Sequence, residues 1–316
     1  MKNKNRIIIG LIILILLGLG IFSQIGYARD YRFPNLLIDI KMNPDGSLDV
    51  HEKRSVVFDG KYTGMFQWID LRGNIRIRDV VIAEDGVEYS ESSVTKPGPP
   101  HTYYVKQERG RVYIDWSFHA ESEQRTFDII YSVDNAVLVH DDFAELYHKF
   151  IGSEWGKGVD YVQINLYLPG PTNLEDLRAW GHGPLHGLVS IIDEQHIRWE
   201  ISPLAARTML EGRVLFAKDV VSQADKFTGR SILSEILAEE QKYADDANLR
   251  RHEAAEIRQE LDQPAVKRKK FGVDLLAALI LIVLTTAVTI GFYLRYGAEY
   301  RPEFEGEYYR ELPGHY

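Results

Sequence analysis

The 316-residue chain contains no cysteine. That excludes a disulfide framework, a thiolate metal site and a thiol nucleophile. Excess positive charge is also lacking: 37 basic residues stand against 46 acidic ones, a net charge of −9. A nucleic-acid-binding face needs clustered cations, so nucleic acid is not an expected partner. No Gly-rich string leads into a Lys-Ser or Lys-Thr pair, so there is no phosphate-cradling loop. Ser153, between Gly152 and Glu154, lacks the spacing of a nucleophile elbow. What remains is a globular composition, 45% hydrophobic and 26% charged,.

Two apolar runs set the topology. Lys2, Lys4 and Arg6 precede an uncharged run from Ile7 to Phe22, and Gly26-Tyr27-Ala28 comes next as a small-x-small site. Residues 1–28 therefore read as a secretory signal peptide cut after Ala28. The length of the run makes an uncleaved N-terminal anchor the alternative. Either reading keeps the basic end in the cytoplasm and exports the chain beyond it. The second run, Leu275 to Leu294, holds twenty uncharged residues. At about 1.5 Å per residue it reaches ~30 Å, a bilayer's hydrocarbon thickness, and predicts a transmembrane helix. Tyr293, Arg295 and Tyr296 suit its interfacial end, and 295–316 would be a short acidic cytoplasmic tail,. Lys267-Arg268-Lys269-Lys270, just before this span, argues the other way, because positive clusters favour the cytoplasm. A leading segment usually dominates orientation, and the exported reading is kept.

From Arg29 to about Val221 apolar residues alternate with period two, the mark of half-buried strands. Leu36, Ile38, Ile40 and Met42 share one parity, and Asn43-Pro44-Asp45-Gly46 is a turn,. Leu48, Val50, Val56 and Phe58 continue on the next strand. The pattern recurs at Val112–Phe118, Phe127–Val133, Val162–Leu168 and Ile197–Ile201. Short strands punctuated by turns predict a mainly β chain with exported antiparallel β-sandwich modules. A soft boundary near Asn135 divides them into 29–134 and 135–222. Residues 231–263, without Gly or Pro and rich in good helix formers, predict a helical stalk that ends at Pro264. Its seam Ile236, Glu240, Tyr243, Ala247, Arg250, Ala254, Ile257, Leu261 would allow an oligomer through the stalk. Small residues and two charges favour a helix lying back on the sandwich or standing in solvent.

Several strings together resemble one family. They are His140-Asp141-Asp142-Phe143-Ala144-Glu145-Leu146-Tyr147 with Lys149-Phe150-Ile151-Gly152; Leu177-Arg178-Ala179-Trp180-Gly181-His182-Gly183-Pro184-Leu185; and Glu305-Gly306-Glu307-Tyr308-Tyr309-Arg310-Glu311-Leu312-Pro313. The chain resembles, from Tyr31 on, the bacterial predicted membrane proteins grouped as domain of unknown function 2207. The resemblance implies a signal sequence, an exported β-rich region, a span and a cytoplasmic tail. It implies no activity and no catalytic residues. Similar proteins usually continue past the Tyr-Tyr-Arg-Glu-Leu-Pro string into further spans, whereas this sequence ends at Tyr316.

Six residues remain as weak site candidates. His140, Asp141, Asp142 and Glu145 could do acid–base work or hold calcium, but nothing matches a calcium-loop pattern. A polar turn entering a strand is the simpler reading. His182 and His186 lie four apart, yet glycines and a proline forbid the helix that would aim both at a metal. A tight turn over Trp180 is expected there instead. Tyr103, Tyr104 and Tyr113 could line a saccharide or peptide face, while Trp116 and Trp199 have inward parity,. No catalytic, cofactor-binding or metal-binding set is assigned, and no cofactor is expected. The functional expectation is a membrane-anchored cell-envelope protein whose β-sandwich is an interaction or scaffold module. Its partners would be the lipid bilayer and an envelope or membrane protein. The alternatives are a ligand-sensing ectodomain that signals through the stalk, and a cell-wall-active hydrolase built on Asp141–Glu145.

Overall fold

The computed structural model describes residues 29–71, 75–95, 97–262 and 264–296, with side chains left aside at 260–274, 294 and 296. The expected signal or anchor, 1–28, and tail residues 297–316 lie outside the described residues. The chain divides into two compact units, Met1–Ala244 and Asp245–Tyr316.

The first unit carries the strands. In chain order they are β1 (Asp30–Met42), β2 (Leu48–Asp59), β3 (Lys61–Asp70), β4 (Arg76–Glu84), β5 (Val87–Glu88), β6 (Ser90–Glu91), β7 (Thr102–Glu108) and β8 (Arg111–Glu121). Then come β9 (Gln124–Asp134), β10 (Val137–Val139), β11 (Ala144–Ile151), β12 (Val159–Tyr167), β13 (Arg178–His182), β14 (Leu188–Ile191), β15 (His196–Ile201) and β16 (Leu210–Phe216). They form an eight-stranded sheet in the order β14-β15-β12-β1-β2-β9-β4-β5 and two four-stranded sheets, β10-β11-β16-β13 and β3-β8-β7-β6. Pairing is antiparallel except between β1 and β12 and between β6 and β7.

Alternation explains the strands. Leu36, Ile38, Ile40 and Met42 are buried, with Asp39 and Lys41 exposed between them. Gly46 closes the following turn at φ +77°, a conformation that disfavours a side chain,. Trp116 and Trp199 point inward as expected and join Phe118, Phe127 and Ile164 in one core cluster. Each such side chain contributes roughly 1.5–3 kcal/mol of burial.

The boundary expected near Asn135 does not separate two sheets. Leu36 pairs with Val162, and Ile40 with Leu166, so residues on both sides of position 135 share the large sheet. Local pattern carries no information about so remote a parallel pairing.

The Trp180 region also differs from expectation. Arg178–His182 is a strand on β16, with Gly181 opposite Gly212. The two glycines make room for one indole. A Cβ at Gly212 would lie 2.8 Å from Trp199 Cζ2, and one at Gly181 would lie 3.1 Å from its Cδ1. Trp199 Nε1 then donates to Trp180 O at 3.0 Å. The tight turn comes later, where Gly187 N donates to Pro184 O at 3.0 Å.

A short 3-10 helix at Lys218–Val221 and two α-helices complete the described chain: α1 (Leu233–Asp262) and α2 (Pro264–Tyr296). α1 ends at Asp262, and Pro264 opens α2, where its fixed φ suits a first helical position,. Within α2, Leu275–Tyr293 has mean hydropathy 2.6 and is long and apolar enough to cross a membrane. Its threonines need no outside partner: Thr286 Oγ1 donates to Ile282 O at 2.7 Å and Thr289 Oγ1 to Thr285 O at 2.8 Å,.

Candidate functional site

All seven residues of β16 are buried. Val214 and Phe216 belong to the main core, whereas Leu215 packs with Phe143 and Ile236 in a separate cluster. Period two therefore directs Glu211, Arg213 and Leu215 to one face, where α1 lies against them. Register aligns Arg213 with Tyr147 of β11 and Trp180 of β13, and Glu211 with Lys149 and His182.

Arg213 is the hub. Its Nε donates to Glu145 Oε1 at 2.7 Å, and its Nη1 donates to Glu239 Oε2 at 2.7 Å and Glu240 Oε1 at 2.9 Å. Glu145 Oε2 meets His140 Nε2 at 3.0 Å, and His140 Nδ1 meets Thr228 Oγ1 at 2.8 Å. On the other side Glu240 Oε2 meets His182 Nε2 at 2.9 Å. The chain of contacts thus runs Thr228–His140–Glu145–Arg213–Glu240–His182. Glu145 and Glu240 are 5% and 2% exposed at their side chains. Burial works against the Arg213 cation, but bonds to Glu239, Glu240 and Glu145 outweigh it and raise its pKa. The Arg213 bond holds Glu239 below the usual carboxylate range. The Glu239 charge and hydrogen bond push the Tyr243 phenol up.

Ile236 and Glu240 are one turn apart on α1 and both are buried,. The helix is thus fastened by an apolar contact and an ionic one. Asp142 adds a third tie, its Oδ2 accepting from Leu233 N at 3.2 Å.

The six sequence candidates therefore separate. His140, Glu145 and His182 meet through Arg213 and Glu240. Asp142 holds the helix start. Asp141 is exposed, and its backbone oxygen accepts from Lys218 Nζ at 2.6 Å. His186 stands apart, Nε2 bonded to Pro203 O at 2.9 Å. Among the described residues no three His, Asp or Glu side chains gather as a metal site. The Glu145 carboxylate spends both oxygens inside the protein, so the cluster's chemistry is charge pairing across a sheet–helix contact. Sequence reasoning missed Arg213 and treated Glu240 as a break in a seam. The signal was their placement: Glu211 and Arg213 share a parity within an otherwise apolar strand.

A second feature lies at the end of the large sheet. β14 is its terminal strand, and Leu188, Val189, Ile191 and the next residue Ile192 are 65%, 37%, 39% and 47% exposed.

A β-rich unit followed by a helix that can cross a bilayer is the build of a membrane protein. The match to known families agrees. The chain belongs to the family described as Predicted membrane protein (DUF2207), N-terminal domain, which matches residues 32–216. No curated protein matches. Solved structures resemble it faintly. Leukotriene A4 hydrolase from Saccharomyces cerevisiae is 10% identical over 59% of this chain and 29% of its own, with TM-score 0.37. An M1 zinc metallopeptidase from Deinococcus radiodurans is 9% identical over 58% of this chain and 42% of its own, with TM-score 0.31. The chain spans less than half of either, and such scores carry no conclusion about its activity.

Proposed function

We propose that this is a non-enzymatic, membrane-anchored protein of the cell envelope whose extracytoplasmic β-rich unit is an interaction or scaffold module. The exposed apolar strand Leu188–Ile191 with Ile192 carries the reading. An apolar strand at a sheet end is a liability that proteins usually blunt with charge, so its retention favours a protein partner. The basic start of the chain supports export of the β-rich unit. The test is a photo-crosslinking side chain placed at Leu188 in intact cells. The expected result is one discrete protein adduct, lost in Ile191→Glu and absent when the probe sits at exposed Glu121. No adduct, or equal labelling from Glu121, would count against the proposal.

The ionic clamp favours a second reading, a ligand-sensing module whose strands β11 and β16 bias the helix leading to α2. Under that reading, ligand changes hydrogen exchange at Ile236–Tyr243.

A further inference from the structure

A cavity of about 470 Å³ opens where β1 and β2 of the large sheet face β3 of a smaller one, a size typical of small-molecule sites. Both β1 and β3 are irregular there, with register shifts between Arg32 and Asn35 and between Tyr62 and Gly64. Its walls include Tyr31, Phe33, Phe58, Tyr62, Trp68 and Trp155. Among these rings sit two buried polar side chains, Arg54 and Gln67, 2% and 6% exposed.

Their bonding is incomplete. Arg54 Nη2 donates to Glu52 Oε2 at 2.7 Å and also to Gln67 Oε1. Glu52 Oε1 in turn accepts from Tyr131 at 2.8 Å. Arg54 Nε and Gln67 Nε2, however, have no partner. A third orphan donor, Trp116 Nε1, belongs to a ring 5.6 Å from the same guanidinium. Trp155, which lines the cavity, lies 4.5 Å from it on the loop before β12. Buried donors are nearly always satisfied, and both orphans on residues that line the cavity are N–H groups, so the missing complement is an acceptor,. Glu52 neutralises Arg54, which admits a neutral acceptor as well as an anion.

We infer that this cavity binds a small amphipathic molecule, with an apolar ring or chain against the aromatic walls and a terminal carboxylate or carboxamide oxygen bonded to Arg54 and Gln67. This binding is independent of the partner contact at β14.

The test is calorimetry on the full chain in lipid nanodiscs, with empty nanodiscs subtracted. The probes share a body and differ in the head: 4-phenylbutyrate, 4-phenylbutanamide and 4-phenylbutylamine. Saturable binding of the acid and the amide is expected, with the amine at least about tenfold weaker, the equivalent of one lost hydrogen bond to a charged group. Gln67→Met should weaken the acid by about tenfold as well. Because that change touches the Arg54 cluster, Thr63→Trp provides a second arm: Thr63 is exposed at the cavity and takes no part in the Arg54, Glu52 and Gln67 bonds. It should abolish binding while leaving the Leu188 crosslink intact. Equal binding of acid and amine, unchanged affinity in Thr63→Trp, or no saturable binding of any probe would overturn the inference.

Discussion

Replacing Arg213 by methionine keeps an unbranched apolar stem and removes the cation from the clamp. Two carboxylates, Glu145 and Glu240, are then left 5% and 2% exposed without their guanidinium. Removing one partner of a buried ion pair costs about 3–5 kcal/mol, because a charge stays behind in a low-dielectric site. Glu239 adds little, since its side chain is 48% exposed and its charge is screened by water,. A loss of this size is a large share of the roughly 5–15 kcal/mol that holds a typical domain together. At about 2–4 °C per kcal/mol for a unit of this length, melting should fall by roughly 6–20 °C. The assay is denaturation of the full chain followed by tryptophan fluorescence, with hydrogen exchange read at Ile236–Tyr243. If the helix alone lets go, exchange rises there before the strands melt. The triple change Glu145→Gln, Arg213→Met and Glu240→Gln should recover most of the loss, because it removes the stranded charges along with the cation. A loss below about 1 kcal/mol with unchanged exchange would refute the clamp, since that is the range of an exposed pair.

The same physics bears on two other sites. Gly212→Ala should destabilise by about 1–3 kcal/mol in a urea titration, because the new methyl would meet Phe150 Cε2 at 2.5 Å and Trp199 Cζ2 at 2.8 Å,; pairing it with Phe150→Leu should restore part of that. For Glu84, burial pushes the carboxyl pKa up, but bonds from Arg125 and Tyr89 outweigh it, so the net shift is downward. Its stabilisation is therefore complete above the usual carboxylate range and lost as pH falls through the lowered folded value. Glu84→Gln should be less stable at neutral pH and should flatten the acid limb of the stability curve below about pH 5.

Strands were legible because one face is buried and the other solvated, which writes burial into every second residue. The same parity also held a hidden signal. Glu52 and Arg54 lie between Val50 and Val56 on the inward face of β2 and are buried with them. These two inward charges escaped the sequence reading, and only the folded chain shows that Arg54 lines a cavity. Other features had no local signature. Glu240 reads as a flaw in an apolar seam until Arg213, 27 residues earlier, is seen beneath it. Gly181 reads as a turn former, but space for Trp199 is what it and Gly212 provide. The large sheet crosses position 135 because β1 pairs with a strand more than a hundred residues away, and only the folded chain brings the two together.

Sidedness is the point on which the envelope assignment rests. Single cysteines at exposed Ser93 and at Gly314 would be tested on intact cells with a membrane-impermeant thiol reagent, and the cysteine-free chain leaves no background of its own. Export of the β-rich unit predicts labelling at position 93 from outside, and at 314 only after the membrane is opened. Labelling at 314 with protection at 93 would put the β-rich unit in the cytoplasm, show that Lys267–Lys270 set the orientation, and contradict the envelope assignment.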